Sequence, residues 1–133
     1  MPRRANPHPT DAELAILQVL WEEGPNTVRA IHDRLAAEQS TGYTTTLKTM
    51  QIMMEKGLVR RDASSRAHVY SASESREKTQ RGMLGNLMER AYRGSAGKLA
   101  LQALSSQRAT PGEIAELRLL LDEMSREVDD DDD

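Results

Sequence analysis

At Gly57 the apolar residues change from a helical spacing of about 3.6 to a strand spacing of 2, which constrains the fold more than any other feature. Before that point Thr44 to Gly57 repeats as a helix. At about 100° per residue, Thr46, Thr49, Met50, Met53 and Met54 share one face and Thr44, Lys48, Gln51 and Glu55 the other, with Thr45 and Ile52 at the edge. Thr44 or the residue before it is the expected N-cap, and Gly57 stands where a glycine closes a helix in the left-handed conformation. Beyond it, Leu58 to Arg61 and Ala67 to Ser71 read as short strands, joined by the turn-rich Asp62-Ala63-Ser64-Ser65-Arg66. An isolated two-stranded hairpin is marginal, so this one must pack Leu58, Val59, Val69 and Tyr70 on helices.

Those helices precede it. Thr10-Asp11-Ala12-Glu13 is a capping box that opens a helix from Asp11 to about Glu23, with Leu14, Leu17, Val19, Leu20 and Trp21 as its apolar stripe. Gly24-Pro25 ends it. Thr27 caps a second helix through Val28, Ile31 and Leu35, which fades near Glu38-Gln39-Ser40 and turns Arg29, His32 and Arg34 to water. The short link Ser40-Thr41-Gly42-Tyr43 then gives a helix-turn-helix, and the basic-tipped hairpin after it makes a winged helix-turn-helix over residues 1–72. The fold class is mostly α (α+β).

A helical second region is expected over 73–126. Ser73 or Ser75 caps a fourth helix to about Arg93, carrying Met83, Leu84, Leu87, Met88 and Ala91; Ser95 caps a fifth with Leu99, Leu101 and Leu104. Thr110-Pro111-Gly112-Glu113 is a second capping box, opening a sixth helix with Ile114, Leu117, Leu120, Leu121 and Met124. Leucine stripes with so little chain to cover them point to a homodimer, with Leu84, Leu87, Leu99, Leu101, Leu104, Leu117, Leu120 and Leu121 as dimerisation residues. The alternative is that these helices fold back on the first domain. The acidic run within 127–133 reads as a solvated, disordered tail.

Charge locates the candidate site. The chain carries a formal −3, but residues 44–70 hold five basic residues (Lys48, Lys56, Arg60, Arg61 and Arg66) against two acidic ones. Threonines at a helix start suit phosphate contact, and Lys48 and Gln51 can reach base edges. A protein-binding winged helix that never touches DNA is the rival reading, and it would show an apolar patch where this chain places cations. With no cysteine there are no disulfides and no thiolate metal site, and the chain suits a reducing cytoplasm. His8, His32 and His68 have no carboxylate or second histidine at metal-ligand spacing in the sequence, and no phosphate loop or nucleophile elbow is present, so neither a metal, a cofactor nor an enzymatic activity is expected. The first nine residues have no apolar run, hence no expected signal peptide or membrane anchor.

The sequence resembles the penicillinase repressor family, the BlaI/MecI-type transcriptional regulators. The resemblance lies in Pro9 to Leu17, Val19-Leu20-Trp21, Thr27 to His32, Gly42 to Met50, Glu55 to Val59 and the wing Arg66 to Tyr70, and it covers residues 9–124. It implies a homodimeric repressor on a palindromic operator of double-stranded DNA, with DNA-facing positions at Thr44, Thr45, Lys48 and Gln51 of the helix and Arg60, Arg61, Arg66 and His68 of the wing. A regulatory protease is the other implied partner, but the Asn-Phe pair cleaved in antibiotic-inducible members reads Gln102-Ala103 here, which speaks against induction by that cut. Copper-responsive relatives use a cysteine cluster that this chain lacks. Ile52 stands where many relatives have an arginine, which removes one phosphate contact.

Overall fold

The computed structural model describes residues 8–64 and 66–131. Expectations for the first seven residues, Ser65 and the last two aspartates of the tail lie outside it. The elements are α1 (Asp11–Glu23), α2 (Val28–Ala36), α3 (Tyr43–Lys56), β1 (Val59–Asp62), β2 (Val69–Ala72), α4 (Arg76–Ala91), α5 (Ala96–Ser106) and α6 (Pro111–Asp131). The winged helix-turn-helix followed by three helices is the fold class expected from the sequence.

Local side chains set most of the helix starts. Thr10 Oγ1 accepts from Glu13 N–H while Glu13 Oε1 accepts from Thr10 N–H, so the capping box is complete at α1. Thr27, Ser75 and Ser95 each accept from the amide three residues on, and Thr110 and Glu113 repeat the reciprocal box before α6. α3 departs from the expectation: its N-cap is Gly42, with no side-chain cap, rather than Thr44 or Tyr43. Gly57 closes α3 at φ 80° and ψ 15°, where a Cβ would be strained. α4 begins at Arg76 and stops at Ala91, two residues short of the expected end. α6 continues into the acidic run as far as Asp131, so the backbone there is helical rather than coil.

The chain divides into two compact units, residues 1–86 and 87–133. In the first, Ile16, Leu17, Val19 and Leu20 of α1, Val28, Ile31 and Leu35 of α2, and Met50 and Met53 of α3 meet Val59 and Tyr70 of the hairpin in one core. Ile16 was not on the expected stripe, whereas Leu14 is only half-buried. Burying an aliphatic side chain of this size contributes roughly 1.5–3 kcal/mol, which is what holds a short hairpin on helices. The strands start one and two residues later than expected and pair antiparallel, Val59 with Ala72 and Arg61 with Tyr70. A further anchor was not legible in the sequence: Asn26 and Tyr70 exchange both backbone hydrogen bonds, at 2.9 and 2.7 Å, making the α1–α2 connection a one-residue third strand. Trp21 Nε1 donates to the Glu74 carbonyl at 3.0 Å and ties the segment after the hairpin to α1.

In the second unit no described side chain is buried. Leu87, Leu101, Leu104, Leu120 and Leu121 are exposed there, as is Leu84 at the end of the first unit, while Leu99 and Leu117 are half-buried. A groove of about 650 Å³ runs between α5 and α6, lined by residues that include Leu104, Leu117 and Leu120. Gln102 lies within α5 and accepts a hydrogen bond from the Tyr92 hydroxyl at 3.0 Å. Among the described residues no helix is long and apolar enough to cross a membrane.

Candidate nucleic-acid interface

The candidate surface is built on α3. With Thr46, Met50 and Met53 turned into the core, helical geometry leaves Thr44, Thr45, Lys48 and Gln51 outside, and all four are exposed. Because Gly42 offers no side-chain cap, the amides of Tyr43, Thr44 and Thr45 precede the first intrahelical bond, from Thr46 N–H to the Gly42 carbonyl at 3.1 Å. Uncapped amides at the positive end of a helix dipole are suited to an anionic oxygen. Ile52 lies outside too, 42% exposed, and adds a single apolar side chain to the outside of α3.

The hairpin leaves the C-terminal end of α3 and returns its tip to the N-terminal end. Arg66 and His68 of the tip line one groove of about 330 Å³ with Thr27 and Arg29 of the second helix region and Tyr43 and Leu47 of α3. Arg60, Arg61, Arg66 and His68 are all exposed, but they do not share one face of the hairpin. Arg60 pairs with Ser71 and Arg61 with Tyr70, and neighbouring side chains on a strand leave by opposite faces. Arg60 also donates to the Ser73 carbonyl at 3.4 Å, at the base of the hairpin and away from its tip. At the loop, Asp62 accepts from Ser64 N–H at 2.9 Å, and that bond holds the Asp62 carboxyl below its ordinary range.

One member of the basic segment is committed elsewhere. Lys56 Nζ lies 2.7 Å from Glu13 Oε1, the oxygen that also completes the capping box of α1, so the positive charge is spent inside the domain. Sequence counting placed Lys56 with the phosphate-facing cations; its partner lies 43 residues away and no local pattern announces it. Arg29 and Tyr43 were missed in the other direction. The Arg29 guanidinium sits 4.2 Å from the centroid of the Tyr43 ring, a cation–π contact worth about 0.5–1 kcal/mol at an exposed site. His32 meets the same ring edge-on at 5.5 Å and 87°, and its Nδ1 lies 3.2 Å from Thr46 Oγ1.

A family model described as penicillinase repressor matches residues 9–123 of the chain. Proteins named transcriptional regulator BlaI from two strains of Mycobacterium tuberculosis are each 30% identical to it over 92 residues, 68% of this chain and 67% of theirs. With the match running through the winged helix and the helices after it, the chain belongs to the penicillinase repressor family of transcriptional regulators.

Proposed function

We propose that the protein is a dimeric transcriptional repressor that binds a palindromic operator in double-stranded DNA, in the cytoplasm, through α3 and the wing over residues 58–71. The observation that carries the reading is the convergence of the uncapped, threonine-led start of α3 and the wing tip on one exposed, basic surface. Thr44, Thr45, Lys48 and Gln51 would enter the major groove, where a good base contact gives about 1–3 kcal/mol of discrimination. Arg66 and His68 would lie along the phosphate backbone, with Arg60 and Arg61 contributing charge from the two faces of the hairpin. The exposed leucines of α4 to α6 would pair two copies, placing two recognition helices about 34–36 Å apart, or a multiple of that, in successive major grooves of the duplex.

Protection mapping of the full chain on the DNA upstream of its own gene tests this directly. A two-fold symmetric footprint is the expected result. A protein that binds no duplex DNA at low salt, or protects a single unpaired half-site as a monomer, overturns the reading.

A further inference from the structure

The groove between α2, α3 and the wing tip holds one more cation than the recognition surface accounts for. Arg29 is exposed, makes no ion pair with any carboxylate among the described residues, and yet is held against the Tyr43 ring. An unpaired guanidinium on a long side chain ordinarily samples many rotamers; a ring beneath it removes much of that freedom before any ligand arrives. Tyr43 is in turn held in a T-shaped contact by His32, whose Nδ1 reaches Thr46 Oγ1, and Thr46 is buried and donates to the carbonyl of Gly42 at 3.4 Å. The chain of contacts therefore runs from the N-cap of α3 to the guanidinium. Across the groove stands Arg66, also exposed, beside His68.

We propose that Arg29, laid on Tyr43, is a phosphodiester-binding residue that works with Arg66 as a clamp on one DNA strand between the second helix and the wing. The inference rests on the DNA-binding reading above and extends it to a residue outside α3 and the wing. The chemistry favours a phosphate over a base, because Arg29 already covers one face of Tyr43 and a guanidinium fork matches phosphate oxygens. It favours phosphate over an apolar peptide, because two guanidinium groups border a groove with little else to compensate their burial. Tyr43 and His32 are positioning residues: they touch Arg29 and α3 and set where the charge is presented.

The test is the affinity of the full-length protein for a short duplex of mixed sequence, measured across a salt series, for the wild type and for Arg29→Ala, Arg29→Lys, Tyr43→Leu, the conservative Tyr43→Phe and the Arg29→Ala/Tyr43→Leu double variant. Loss of one phosphate contact lowers the log–log salt slope by about 0.9, and Arg29→Ala is expected to show that drop with roughly tenfold weaker binding at low salt. Arg29→Lys keeps the slope and recovers part of the affinity. Tyr43→Leu, with every charge intact, weakens binding in the wild-type background but not in the Arg29→Ala background; Tyr43→Phe, which keeps the ring, binds as the wild type. A thermal midpoint measured for each variant separates lost binding from lost fold. An unchanged slope in Arg29→Ala overturns the clamp while leaving the DNA reading standing, and so does an equal effect of Tyr43→Leu in both backgrounds. A wild type that shows no salt-dependent duplex binding overturns both. Binding of poly-glutamate that depends on Arg29, with no change in the DNA slope, overturns the clamp in favour of an acidic protein ligand.

Discussion

Lys56, at the last turn of α3, donates to the buried carboxylate of Glu13, at the first turn of α1, across 2.7 Å. The pair fastens the C-terminal end of the candidate recognition helix to the capping box that starts the domain, and so fixes the direction in which α3 projects. Removing one partner of a largely buried pair leaves the other uncompensated. Lys56→Ala is therefore expected to lower the unfolding free energy by about 1–3 kcal/mol, a range reduced because Lys56 keeps some contact with water. Its DNA salt slope should stay as in the wild type. Denaturant titration with a parallel salt series checks both, and a reduced slope with unchanged stability would return Lys56 to the phosphate-facing set.

Lys48→Ala should cost affinity for the operator more than for unrelated duplex, by roughly 1–3 kcal/mol of discrimination if the lysine reads a base edge. Competition binding between the operator and a scrambled duplex measures the difference. Equal losses on both would reassign Lys48 to the backbone.

Arg66→Ala should behave oppositely. Its expected signature is a salt slope lower by about 0.9 with base preference intact. A steady slope together with altered base preference would contradict a phosphate role at the wing tip.

Leu117 is half-buried and Leu120 is 53% exposed, and both line the groove between α5 and α6. A charge there would have to be desolvated on assembly, so Leu117→Asp and Leu120→Asp should each sediment as monomers and bind the operator poorly. Variants that remain dimeric would move the interface to another face.

The loop of the wing carries its own acid dependence. Because the Ser64 amide donates to it, the Asp62 carboxyl titrates below its ordinary value of 3.8. A carboxyl lowered in the fold stabilises the turn above the unfolded value, and that contribution is lost as pH falls through the folded one. The Ser64 amide resonance should accordingly hold steady down to the ordinary carboxylate range and shift only below 3.8. A midpoint at or above that value would show that the turn gains nothing from the charge.

What could be read in advance follows from the distance over which each interaction acts. Thr10, Thr27, Ser95 and Thr110 cap helices by bonds that close within three residues, and the exposed face of α3 is a matter of period, so both were legible. The cap at Gly42 was not, because a glycine cap contributes only backbone and has no side-chain signature to set against the threonines that follow it. Long-range pairings escaped altogether: Glu13 with Lys56, Asn26 with Tyr70 and Arg29 with Tyr43 join residues whose proximity exists only once the core has formed. For the same reason charge counting grouped Arg60, Arg61 and Lys56 with Arg66, whereas the folded chain directs them to different places.

The bridge from Asn26 to Tyr70 reaches beyond the hairpin it completes. A ribbon free to swing about its base would meet a ligand in many orientations and lose that freedom on contact; one stitched at its centre to the α1–α2 connection has lost it already during folding. The spacing between the loop tip and α3 is thereby set before any encounter, like the jaws of a fixed gauge. On the proposed DNA-binding function, such a surface would reject a helix of the wrong width instead of adapting to it.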